Sequence, residues 1–133
     1  MNKNLFVSLK QRALTQGVRL RDPIGFAEAS KLANLSADEN MLTLIECLKF
    51  FDGFDEENFD PASEIRLWSC DEIALSFDKS NRLVKFSDFS LMSEVYGFNI
   101  GKPSTVFEIH SGTSVAKSVE EFYTKIVVGD LDF

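Results

Sequence analysis

The stretch LSADENMLTLIECLKFFDGF, residues 35–54, decides the fold. Ser36 with Glu39 spells a capping box, in which side chain and backbone satisfy each other's free groups at a helix start. Met41, Leu44, Ile45, Leu48 and Phe51 form a stripe at helical spacing, and Leu42, Cys47 and Phe50 widen it past half the circumference. A helix this apolar must be covered on more than one side, so it reads as the central helix. Asp52-Gly53 is its expected stop, glycine being the usual residue at a left-handed helix end. At and beyond that stop stand five carboxylates and no cation: Asp52, Asp55, Glu56, Glu57 and Asp60.

Working outward from this helix, residues 4–16 read as an amphipathic helix with Leu5, Phe6, Leu9, Ala13 and Leu14 near one face, closed by Gly17. Asp22-Pro23 is the expected start of a second helix, running through Ile24, Phe26, Ala27, Ala29 and Leu32 to about residue 33. Downstream the character changes. Residues 64–68 (EIRLW) read as a short strand, and Ser69 with Glu72 spells a second capping box over one or two helical turns. Residues 82–89 and 93–100 alternate in strand fashion and VFEIH, 106–110, is a further β run, with turns at 79–81, 101–104 and 111–114. Ser118 with Glu121 spells a third box, and Val119, Phe122, Tyr123, Ile126 and Val127 then share one helical face; the tail from Gly129 is expected to fray. Helices first, a strand meander, then a closing helix define an α+β arrangement. We expect one domain over residues 1–133, with an antiparallel or mixed sheet of about four strands and helices on one face.

The chain has 133 residues, 44% of them hydrophobic and 26% charged, enough for a core that needs no metal or disulfide. No apolar run reaches the ~20 residues of a membrane span, and no apolar segment with a cleavage site opens the chain, so a cytoplasmic protein is expected. Cys47 and Cys70 are expected to be reduced thiols. Net charge is −7, yet residues 1–21 carry Lys3, Lys10, Arg12, Arg19 and Arg21 and no acid. The rest is therefore more acidic than the total suggests. Such a domain is a poor nucleic-acid binder, because phosphate neutralisation supplies most of that affinity. A basic protein surface suits it better, although acidity serves solubility equally well.

Enzyme signatures are missing: no Gly-rich phosphate loop, no His-Glu-x-x-His, no Cys-x-x-Cys and no Gly-x-Ser-x-Gly. The one histidine, His110, has no nucleophile or orienting acid that the sequence can name. Asp52, Gly53, Asp55, Glu57 and Asp60 superficially suggest a calcium loop, but the spacing fails the required pattern. No catalytic residue, metal ligand or cofactor is expected. Consecutive acids in a loop suit a binding surface better than a positioned acid/base pair. Phe54 and Phe59 either pin that loop to the core or act as apolar anchors among its charges, and Trp68 carries the same ambiguity.

With the elements in place, three patterns carry a family resemblance. They are Phe51-Asp52-Gly53-Phe54 after the helix, Arg66-Leu67-Trp68-Ser69 with Asp71-Glu72-Ile73, and VAKSVEEF (115–122) before the last helix. Together with FSDF (86–89) and EVYGFNI (94–100) they resemble the SUKH superfamily, named after a yeast regulator of cell-wall synthesis and killer-toxin resistance, over about residues 24–128. The chain departs from the family at Leu35-Ser36-Ala37-Asp38, which lacks a proline, and at Val119, where phenylalanine is usual. The resemblance implies an α+β fold and, for bacterial members, an immunity protein that binds and silences a toxin, often a nuclease. It hands over no catalytic residue. The expected function is thus occlusion of a toxin's active site or groove, with Asp52, Asp55, Glu56, Glu57, Phe59, Asp60 and Trp68 as candidate partner contacts. The alternative is a regulatory scaffold for a housekeeping protein, and a small hydrolase using His110 is a third reading.

Overall fold

The structure is a computed structural model that describes residues 3–55, 58–101 and 105–129. Helix α1, Lys3–Thr15, buries Leu5, Phe6, Leu9 and Ala13, whereas Leu14 points outward. Gly17 ends it at φ +77°, with Val18 N–H donating to the Ala13 carbonyl and Gly17 N–H to Leu14, a Schellman arrangement. Helix α2, Phe26–Ala33, starts later than Asp22-Pro23 predicts. Backbone bonds explain the delay: Arg21 N–H donates to Gly53 and Ile24 N–H to Leu48, which holds residues 19–24 extended across the end of the next helix. Glu28 then accepts from Gly25 N–H and completes the cap.

Helix α3, Glu39–Leu48, buries seven of its ten residues, as a central helix must. Its cap is Asp38, whose carboxylate accepts from Met41 N–H at 2.9 Å, while Ser36 supports Asp38 itself. The expected Ser36–Glu39 box is therefore not formed: the cap lies two residues later, at Asp38, with Met41 at the position where a box needs Glu or Gln. The helix also ends before Asp52-Gly53. After Leu48 the chain leaves the helical path and buries both Phe51 and Phe54, whose rings stack at 6.3 Å.

Strands β1 (Ile65–Leu67), β2 (Leu83–Phe89), β3 (Glu94–Asn99), β4 (Val106–Glu108) and β5 (Ser114–Ala116) form one antiparallel sheet in the order 1-2-3-4-5. The fold is α+β, with one strand more than expected. β5 has only three residues, too few to show alternation, so its first residue reads as part of a turn. Helix α4, Cys70–Ser76, lies between β1 and β2 in sequence, and its Ser69–Glu72 capping box forms as predicted. Helix α5, Val119–Val128, buries Val119, Phe122, Tyr123 and Ile126. Ser118 accepts from Glu121 N–H, but Glu121 reaches back to Lys117 N–H instead of Ser118, so only half of the third box exists.

The core lies between the sheet and α5, α1 and α3. Phe122 meets Phe86 at 5.2 Å and Tyr96 at 5.3 Å, and Phe6 meets Tyr123 at 6.4 Å. Asn40 accepts from Val119 N–H at 3.0 Å and locks the start of α3 to that of α5. Helical cover is not confined to one face. Arg66 and Asp88 are paired across β1 and β2, one position out of phase with the Ser87–Tyr96 pair. They therefore face away from α5, and Glu72 of α4 meets Arg66 there. The turn expected at 102–104 and the tail from residue 130 lie outside the described residues.

Candidate partner-binding surface

The acidic loop is framed by backbone on two sides. On one side Asp52 N–H donates to the Arg21 carbonyl at 3.0 Å and Asp55 N–H to Arg19 at 2.7 Å, with Leu20 and Phe54 paired antiparallel. On the other, Phe54 N–H donates to Leu67 and Asp60 N–H to Ile65, both at 2.8 Å. Gly53, at φ +72°, lies so close to the Trp68 backbone that a Cβ would sit 2.5 Å from its carbonyl. No other residue type fits this crossing. The aromatic-polar-glycine step thus belongs to the loop frame rather than to the helix end.

The candidate residues divide by burial. Asp52 is half-buried, and its carboxylate accepts from Cys70 N–H at 2.6 Å, at the first turn of α4. Burial raises its pKa, against the opposing pull of the Cys70 N–H and Arg21. Asp55 and Phe59 are half-buried on the loop, and Glu56 and Glu57 lie outside the described residues. Asp60 is 1% exposed. Its carboxylate accepts from Arg12 Nε at 2.7 Å and from Ala62 N–H, so it anchors the loop from within and is not a contact residue. Trp68 is 5% exposed; its indole N–H donates to Asp88 at 2.6 Å, with the Arg66 guanidinium 5.6 Å from its ring. It too supports the fold from inside. Of the five candidates that remain, three are described: Asp52 also serves the helix cap, and Asp55 and Phe59 are half-buried on the loop.

Composition alone hid the neighbours of this loop. The basic N-terminal residues pack beside it: a cavity of about 400 Å³ is lined by Lys10, Leu14, Arg19, Arg21, Phe50 and Asp55 among others. The surface is consequently of mixed sign. The period-two run Arg19-Leu20-Arg21 was the available sequence signal for an extended segment here, and the Asp22-Pro23 helix start obscured it.

His110 also has more structure than its sequence context suggests. Its Nδ1 lies 3.0 Å from Glu108, which accepts further from the N–H groups of Val95, His110 and Ser111. Burial alone would raise the Glu108 pKa, but the backbone donors outweigh it and hold the carboxyl down to about 2. Glu108 thus orients the imidazole. The Ser111 hydroxyl, however, bonds to Thr113 at 3.0 Å, so the histidine has an orienting acid while the neighbouring Ser111 is engaged elsewhere. Both cysteines are buried free thiols; burial pushes Cys47 up to about 12 and Cys70 to about 11. Among the described residues no group of three His, Cys, Asp or Glu side chains could hold a metal, and no helix is long and apolar enough to cross a membrane. Comparison with protein-family models, with curated proteins and with solved structures finds no match for this chain.

Proposed function

We propose that this chain is an immunity protein of the SUKH type, which binds a cognate toxin in the cytoplasm and occludes a basic active site or groove, most simply that of a nuclease. It acts by binding and carries out no reaction of its own. The observation that supports this reading is the framed acidic loop. Its ends are fixed by main-chain bonds to residues 19–21 and to β1, so Asp55, whose own N–H is one of the fixing donors, has little backbone freedom left to lose on binding. Asp55, Glu56 and Glu57 supply the charge that meets the basic groove, and Phe59 the apolar contact beside it. Complementary charge of this kind speeds encounter and makes association salt-sensitive.

The test is a combined Asp55→Ala, Glu56→Ala, Glu57→Ala variant, assayed against the toxin encoded next to this gene. Association should weaken by at least ~10-fold, mainly through a slower on-rate, with a shallower salt dependence. The unfolding free energy should move by less than ~1 kcal/mol. Full protection of toxin-expressing cells at the parent's dose would remove the loop from the interface.

A further inference from the structure

The extended segment that follows α1 is bonded on one side and open on the other. Arg21 N–H and the Arg19 and Arg21 carbonyls bond to the acidic loop, which bonds in turn to β1 through Phe54 N–H. Residues 19–22 are therefore the outer edge of a ribbon that runs on from the sheet. Backbone groups of successive residues in an extended strand point to opposite sides. The N–H and carbonyl of Leu20 and the N–H of Asp22 accordingly point away from the loop, and among the described residues none of them has a hydrogen-bond partner. Arg19, Arg21 and Asp22 are exposed and Leu20 is half-buried, so an incoming chain can reach them. Open groups of this kind are a template for a further strand. The same segment walls the cavity of about 400 Å³ beside the loop, where Lys10, Arg19 and Arg21 outnumber Asp22 and Asp55. None of these three cations is in an ion pair among the described residues; Arg21 favours the Asp52 carboxylate from beyond ion-pair distance.

We propose that this edge takes up an extended acidic segment of a partner protein, added antiparallel to residues 19–22 as one further strand. The register follows from the backbone. Leu20 exchanges both of its outward bonds with one incoming residue, so that residue's two neighbours lie opposite Arg19 and Arg21. Those are the non-hydrogen-bonded positions, where facing side chains come closest, and opposite charges placed there attract. Two residues along, the incoming chain faces Asp22, where an acid is repelled. Acids are thus required at alternate positions only, with uncharged residues between them. Main-chain bonds supply the affinity and the alternating side chains the specificity. The open groups ask for N–H and carbonyl partners at strand spacing, which a protein segment offers and a phosphate chain does not. This edge selects charge of the opposite sign to that met by the acidic loop, so it is a second contact and goes beyond the function proposed above.

The probe is the end-blocked peptide Thr-Glu-Thr-Glu-Thr-Glu, titrated to ~5 mM into the isotope-labelled full chain at ~50 mM NaCl and followed by amide chemical shifts. A Kd on the order of 1 mM is expected for so short an edge, with the largest shifts at the Leu20 and Asp22 amides. The counterpart with lysine in place of glutamate should leave both amides unmoved. Combined Arg19→Glu, Arg21→Glu should weaken binding by ~10-fold or more and keep the parent's unfolding midpoint, since both positions are exposed. A peptide N-methylated at every threonine keeps its charge but loses the N–H groups that bond the edge, and it should bind ~10-fold more weakly. Asp55→Asn removes an acid from the cavity and should tighten the peptide by ~2-fold. The same substitution should weaken the toxin contact, so the two readings fail separately. No shift at ~5 mM peptide, equal binding of the lysine peptide, or shifts that persist in the double arginine variant would each overturn the proposal. So would an Asp55→Asn variant that binds the peptide more weakly. An N-methylated peptide that binds like the unmodified one would overturn it too, leaving a site for anions without strand addition.

Discussion

Removing the Asp60 carboxylate distinguishes an anchor from an interface residue. The side chain is 1% exposed and its Oδ2 lies 2.7 Å from Arg12 Nε. Asp60→Ala leaves the guanidinium without its counter-charge. Breaking a fully buried ion pair from one side costs about 3–5 kcal/mol. Arg12 keeps 21% side-chain exposure, so water relieves part of the loss, and about 2–3 kcal/mol is expected. Ala62 loses an acceptor as well, but it is exposed and solvent replaces the bond. Equilibrium urea unfolding measures the change. Arg12→Met combined with Asp60→Leu should restore most of the stability, because removing both charges leaves neither one buried alone; a double-mutant cycle then gives the coupling. An Asp60→Ala variant within ~0.5 kcal/mol of the parent that nonetheless loses partner binding would refute the reasoning. It would return Asp60 to the interface.

The other expectations are simpler. Gly53→Ala should cost about 2–5 kcal/mol, combining left-handed backbone strain with overlap on the Trp68 carbonyl; a near-neutral midpoint in denaturant would show that the crossing can relax. Glu108 has its folded pKa lowered from 4.5 to about 2, so folding favours the carboxylate, and this contribution is complete above ~4.5 and fades as pH falls toward ~2. The stability advantage of the parent over Glu108→Gln, followed by urea unfolding against pH, should therefore be constant above pH ~5 and shrink below it. A constant difference down to pH ~2 would disprove the assigned hydrogen bonding. Leu48→Ala, at a position 3% exposed on α3, should cost about 2–5 kcal/mol by the same assay, and a loss under ~1 kcal/mol would make that helix peripheral.

Elements with a strong period were legible in the sequence; those defined by distant backbone were not. The apolar residues of α3 and α5 name their own buried faces, because helix amphipathicity is a local property. Helix starts were less certain. Ser36 and Asp22-Pro23 are good local signals, yet Asp38 caps α3, and bonds from Arg21 and Ile24 to residues 53 and 48 delay α2. Those bonds span more than twenty residues and leave no mark in composition. The same limit applied to the candidate surface. A run of acids reads alike whether each faces solvent or an arginine, so nothing local distinguished Asp60, paired with Arg12 across 48 positions, from Asp55. Trp68 was ambiguous for a similar reason: its partner, Asp88, is supplied by another strand.

The way the acidic loop is held also bears on how it can change over generations. Its fixing bonds run between N–H and carbonyl groups of residues 19, 21, 52, 55, 60 and 65. Such groups are the same whatever side chain a residue carries, apart from proline. On the function proposed above, substitutions at Asp55 or Phe59 would alter what the loop recognises and leave these bonds in place, provided Gly53 and the Arg12–Asp60 pair are kept. A binder facing an adversary that mutates would benefit from this division, in which the frame is inherited and the contact residues are free to be rewritten.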